Sequence, residues 1–141
     1  MAALSVTPAD VDYVSGSVLD GIEAAAAFDA GDVIYNDSGT NLWAKAQDDG
    51  SAMEAGSHRL GIALFTAPAA GARGSVATSG AIVDIGSAVA GAVYVIGPTA
   101  GDLLPANESA ANAKVTVVGI GIGGGQILLG TLYNAGAVVP E

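Results

Sequence analysis

His58 is the only histidine of this 141-residue chain, and it stands between Ser57 and Arg59 at the end of a polar loop. In that company it could act as a general base for a hydroxyl. Such catalysis needs the base within hydrogen-bond reach of its nucleophile and a third group to orient it, whereas neighbours on an extended chain point to opposite sides. No nucleophile-elbow sequence and no orienting acid can be identified by spacing, so no catalytic residue is assigned. One His and no Cys cannot fill the usual tetrahedral shell of zinc. Asp48-Asp49-Gly50 and Asn36-Asp37-Ser38-Gly39 cluster the oxygens that hard cations take, but neither completes a calcium loop, and Asx turns account for both. Gly119-x-Gly121-x-x-Gly124 satisfies the glycine spacing of a dinucleotide fingerprint after a strand-like run. The helix and the acid that must follow it are missing, since only Glu141 remains downstream. The expectation there is a glycine-rich hairpin. Trp43 and Tyr35, on one predicted hairpin, read either as a sugar-stacking platform or as half-buried packing. The chain is therefore read as a non-enzyme with no catalytic, cofactor-binding or metal-ligating residue.

Composition points the same way. Hydrophobic residues make up 51% of the chain and charged residues only 13%, too few charges to cover a lone monomer generously, so part of the apolar surface is expected to be an interface. Fourteen acids against four bases give a net charge of −10, and most acids fall between Asp10 and Glu54. That field repels phosphate, and Lys45, Arg59, Arg73 and Lys114 are scattered, so the footprint of a nucleic-acid binder is missing. The acids serve solubility. The first twenty residues contain no Lys, no Arg and no long apolar run, which argues against a signal peptide. The uncharged stretch 115–140 is long enough to cross a bilayer, but its glycine load makes a poor helix, and a buried β-hairpin is the expectation.

The elements are strands. Met1 to Gly21 mixes isolated apolar residues with Pro8, Asp10, Asp12 and Gly16 and reads as an extended arm over residues 1–20; the alternative is a first strand within the domain's own sheet. Glu23 to Phe28 is boxed in by Gly21 and Gly31 to less than two helical turns, so extended structure competes with helix there. Val33-Ile34-Tyr35 and Leu42 to Ala46 flank a turn whose Gly39 can take positive φ, a hairpin. Leu60, Ile62 and Leu64 fall on one face of a period-two run. Further strands are expected at Ser75–Gly80, Ala81–Ile85, Val93–Ile96, Val115–Ile122 and Gln126–Tyr133, while Asn107 to Ala113 could form one or two helical turns. Strands at this spacing indicate an all-β domain over 21–141, a small sandwich or a partly open barrel. Gly119 and Gly121 share one face, a mark of close approach by another group. Two segments, about 30–63 and 90–121, read as pseudo-repeats: Ala30-Gly31-Asp32-Val33-Ile34-Tyr35 is echoed by Ala90-Gly91-Ala92-Val93-Tyr94-Val95, and Leu60-Gly61-Ile62-Ala63 by Val118-Gly119-Ile120-Gly121.

The order Ala30 to Tyr35, Leu60 to Leu64, Ala77-Thr78-Ser79-Gly80, Ala90 to Val95 with Thr99-Ala100-Gly101, and Lys114 to Ile120 resembles that of head decoration, or capsid cement, proteins of tailed bacteriophages. The similarity covers about residues 20 to 134. No single word in it is diagnostic; the ordered series carries it, and the chain departs from the pattern at the glycine run Gly121 to Gly125. The resemblance implies a structural virion protein, made in the host cytoplasm, that binds the outer surface of an icosahedral capsid. There it would bridge major capsid subunits against internal DNA pressure, most simply as a homotrimer, with no nucleic-acid or membrane partner. On this expectation Leu4, Val6, Val11, Tyr13 and Val14 of the arm are the candidate capsid contacts. Avidity of about 10²–10⁴ over many lattice sites would let each contact be weak. The alternative is a glycan- or receptor-binding β module of a virion, in a head fibre, spike or tail.

Overall fold

The computed structural model describes residues 4–47, 59–97, 99–106 and 117–130. Eleven strands follow in chain order: β1 Asp12–Ser15, β2 Val18–Glu23, β3 Val33–Asp37, β4 Leu42–Lys45, β5 Leu60–Ala63, β6 Arg73–Ala77, β7 Ile82–Ala88, β8 Val93–Ile96, β9 Leu103–Pro105, β10 Val117–Gly123 and β11 Gly125–Leu129. They form two antiparallel sheets packed as a sandwich, one six-stranded with order β1-β7-β11-β10-β8-β9 and one five-stranded with order β2-β6-β5-β3-β4. The fold is thus the expected all-β class, and of the two architectures it is the sandwich. Among the described residues the longest helical segment is a short 3₁₀ turn, Pro8–Asp10.

Both sheets are threaded alike. In chain order β2-β3-β4-β5-β6 and β7-β8-β9-β10-β11 take the same places, and β1 is added at the free edge of β7. The registers agree as well. Val33 lies opposite Ile62 and Ile34 opposite Gly61; Val93 lies opposite Ile120 and Tyr94 opposite Gly119. A Cβ on Gly61 would overlap the carbonyl oxygen of Ala77, and one on Gly119 that of Leu128, the corresponding strand neighbour. At Gly121 the backbone of Val89 fills the space a side chain would need. The close approach expected at this pair of glycines is therefore made by the chain itself.

The main core lies between the sheets. Val33, Tyr35, Ile62 and Ala77 of the five-stranded sheet meet Val83, Ile85, Tyr94, Ile96, Leu103, Ile127 and Leu129 of the other. Leu60, Ile62 and Leu64 contribute from one side, as the period-two pattern predicts. A second core covers the outer face of the five-stranded sheet, where Ile22, Ile34, Trp43, Ala63 and Val76 pack under Phe28 and Ala67. The cover comes from two connections, 24–32 and 64–72. They are joined by main-chain bonds from Phe28 N to Ala67 O (3.0 Å) and from Ala67 N to Phe28 O (2.8 Å). Phe65 sets its ring edge-on to Phe28 at 5.2 Å. The matching connections of the six-stranded sheet, 89–92 and Gly124, are too short to do the same.

Three local features differ from the sequence reading. The arm ends well before residue 20, because Asp12–Ser15 pairs with β7 and Val18–Glu23 with β6; Gly16, at φ +96°, turns the chain between them, and a side chain there would strike Ala81. In the β3–β4 turn the left-handed residue is Asn41 (φ +59°), not Gly39, and Asp37 Oδ1 accepts the Gly39 N–H at 2.9 Å, an Asx turn. The third difference is β9, a three-residue edge strand closed by Pro105 that shows no alternation.

Candidate functional site

The five arm residues divide into two groups. Leu4, Val6 and Val11 are half-buried and pack against the core between the sheets. Leu4 N donates to Leu103 O at 2.8 Å, extending the edge of β9, and Ser87 Oγ donates to Ser5 O at 2.6 Å. Val6 and Val11 lie over Gly31, whose missing Cβ would come within 2.6 Å of Val6 Cγ1 and 3.0 Å of Val11 Cγ2. Gly31 also holds φ +93°, so both conformation and space require glycine there. Tyr13 and Val14 point outward, 48% and 45% exposed, on β1. The sequence offered all five as capsid contacts, with a strand of the domain's own sheet as the alternative; Leu4, Val6 and Val11 pack on the chain's own body.

β1 is an edge strand: one side pairs with β7, the other faces outward, and none of its residues is buried. Asp12 lies directly across from Asp84. Beyond β1 the outer face of the same sheet carries Ile82, Val93, Ile120 and Leu128, with Asp84 and Gln126 beside them. Every exposed large hydrophobic among the described residues, Tyr13, Val14, Val89, Val93, Ile120, Ile122 and Leu128, belongs to this sheet or to the turn after β7. No signal in the one-dimensional pattern separates them from buried counterparts such as Val33 and Ile62.

The other chemical candidates resolve into structure. Tyr35 and Trp43 are buried on opposite faces of their sheet, Tyr35 in the core between the sheets and Trp43 in the second core, so they form no stacking platform. Gly123, Gly124 and Gly125 all hold positive φ in the β10–β11 hairpin, which is the hairpin reading of the fingerprint. His58 and Asp48-Asp49-Gly50 lie outside the described residues. Among the described residues no three His, Cys, Asp or Glu side chains are placed to hold a metal ion, and no helix is long and apolar enough to cross a membrane.

Two concavities stand out among the described residues. A groove of about 330 Å³ over the β2–β4 side of the five-stranded sheet is lined by Asp20, Glu23, Asn36, Asn41, Arg59 and Arg73, among others. Within it Arg73 Nη2 bonds Glu23 Oε1 at 2.7 Å and Ser75 Oγ donates to Asp20 Oδ1 at 2.6 Å. A smaller one, about 110 Å³, lies under Leu4 and Val6 and contains Asp29, Asp32 and Asp102. Burial raises the Asp32 carboxyl above its ordinary value, against the lowering effect of the Asp29 N–H (2.9 Å to Oδ2) and of Lys45 (3.9 Å). Burial also raises Asp102.

No family model, no curated protein and no solved structure matches this chain.

Proposed function

We propose that this is a structural virion protein that sits on the outer surface of an icosahedral phage capsid and bridges major capsid subunits. It would do so as a self-associated unit, a homotrimer by the resemblance. The observation that carries the reading is that, among the described residues, the exposed large apolar side chains gather on one sheet, its open edge and one of its turns, the kind of surface that mates with other protein. The ordered motif series supports it from the sequence side. The capsid contact falls to Tyr13 and Val14 and to the free edge of β1, whose unpaired main-chain groups can add to a capsid strand. Leu4, Val6 and Val11 pack on the body and anchor the segment that leads into β1.

Purified particles test this. The protein should be present in hundreds of copies on wild-type particles, and a Tyr13→Asp, Val14→Asp variant should fold yet leave the shell at least tenfold under-occupied. Full occupancy by the variant overturns the β1 contact, and a few copies per particle overturns decoration altogether. The groove beside Asn36, Asn41 and Arg59 favours one second reading, a glycan- or receptor-binding module. Sugar binding lost on Arg59→Ala would support that role.

A further inference from the structure

The two sheets carry the same cross-strand row in the same places. In the five-stranded sheet it runs Val18, Ala77, Ile62, Val33; in the six-stranded sheet it runs Ile82, Leu128, Ile120, Val93. The opposite faces match too, Leu19, Val76 and Ala63 corresponding to Val83, Ile127 and Gly121. The first row is buried, with Val33, Ile62 and Ala77 fully covered by the Val83 and Ile127 face of the second sheet. The two sheets are thus stacked head to tail, row face onto opposite face, rather than back to back. That arrangement leaves one face of each kind over. The Leu19, Val76 face is sealed by Phe28 and Ala67, whereas the row of the six-stranded sheet is bare: Val93 39%, Ile120 39% and Leu128 36% exposed.

We infer that this bare row, extended by Ile122, is the surface through which copies of this chain meet one another. Continued head-to-tail stacking is blocked, since the face that would receive the row is already occupied by Phe28. Like faces must then gather about a symmetry axis, which closes the assembly instead of propagating a fibre. Area agrees with this occupant. The exposed parts of Val93, Ile120, Ile122 and Leu128 come to roughly 300 Å², within the range in which the largest patch of a protein surface is often functional. Charge agrees as well. The acidic and basic side chains in the described strands of this sheet are Asp12 and Asp84 alone, while Asp20, Glu23, Asp37, Lys45 and Arg73 belong to the other sheet. Each face then brings together Asp12 and Asp84, which lie opposite each other on the Ile82 side, and none of Asp20, Glu23 and Asp37.

The inference deepens the assembly reading proposed above and rests on its self-association. Sedimentation velocity on the full chain tests it, alongside occupancy on particles. Wild type should sediment as an oligomer at ~10 µM, and Ile120→Asp should be monomeric with a dissociation constant raised at least 100-fold. Because an acid in β10 could unfold the chain, Val93→Thr, which keeps the β-branched shape, provides a second variant; it should weaken association about tenfold with the far-ultraviolet spectrum unchanged. A monomeric wild type, or oligomers that survive both substitutions, overturns the inference. Oligomers that persist while Ile120→Asp abolishes capsid occupancy assign the face to the capsid instead, which overturns this inference but leaves decoration standing.

Discussion

The five-stranded and six-stranded sheets share threading, register and a glycine at the same strand position, yet the outer face of one is sealed while that of the other leaves Val93, Ile120 and Leu128 bare, with Val95 and Leu104 buried at one end. The difference lies in the connections. Residues 24–32 and 64–72 are long enough to lie across their sheet and bury Phe28 there, and each bonds the other's main chain. Residues 89–92 and Gly124 only turn the chain. Loop length, not strand sequence, decides which apolar row becomes core and which becomes surface. A sheet whose covering loops are short must find its cover elsewhere or remain exposed to water.

The largest effect expected from breaking this contrast comes from removing the cover. Phe28→Ala should cost about 3–5 kcal/mol, as for other buried aromatic truncations, and should make the outer face of the five-stranded sheet as bare as that of its neighbour. Urea denaturation reads the loss, and a change below 1 kcal/mol would show that Phe28 is not what seals the face. Next in size is a matched pair. Ile62→Ala, at a fully buried row position, should cost about 2–5 kcal/mol. Ile120→Ala, at its exposed counterpart, should cost under ~1 kcal/mol in dilute monomer. Equal costs would mean that the two rows are not distinguished by cover. Smaller and nearly equal losses are expected from Gly61→Ala and Gly119→Ala, because each new Cβ meets the carbonyl of the neighbouring strand. Overpacking of this kind costs about 1–3 kcal/mol, and thermal melts should place the two variants within error of each other.

Much of this was legible beforehand. Val93–Ile96 is a run of apolar and β-branched residues bounded by glycines, and it forms β8 with the predicted limits. The Asp37 turn with its flanking alternation gave the β3–β4 hairpin. β1 escaped because none of its residues is buried, so no period of two is written into it. In β2, Gly21 at φ +70° falls where the register with β6 shifts between Leu19 and Ile22, which breaks the alternation. The apolar face was hidden for another reason. Val33 with Ile62 and Val93 with Ile120 are the same residue types in the same register, and only the packing of one sheet on the other separates buried from bare. The inward turn of Leu4, Val6 and Val11 was equally unwritten, since it depends on the space left above Gly31.

The turns ahead of β3 and β8 supply the smallest test. They align as Ala30-Gly31-Asp32 and Ala90-Gly91-Ala92, with Gly31 and Gly91 both at positive φ, so Asp32 is a charge the second turn lacks. Because burial raises its folded-state pKa above 3.8, the folded chain binds the proton more tightly than the unfolded chain does. Between 3.8 and the folded value the native state carries more protons, and stability falls as pH rises through that window. This is opposite to an ordinary salt-bridged aspartate. Asp102, raised by burial beside it, acts in the same direction. Asp32→Asn keeps an acceptor for the Asp29 N–H (2.9 Å in the wild type) and removes the titration. The variant should therefore match or exceed wild-type stability at pH 7 and lose part of the gain that wild type shows on acidification toward pH 4, with Asp32→Asn, Asp102→Asn flatter still. Denaturation midpoints at pH 4, 5, 6 and 7 read the slope. A variant that weakens the fold at pH 7 while leaving the acid limb unchanged would mean that Lys45, 3.9 Å away, outweighs burial at this turn.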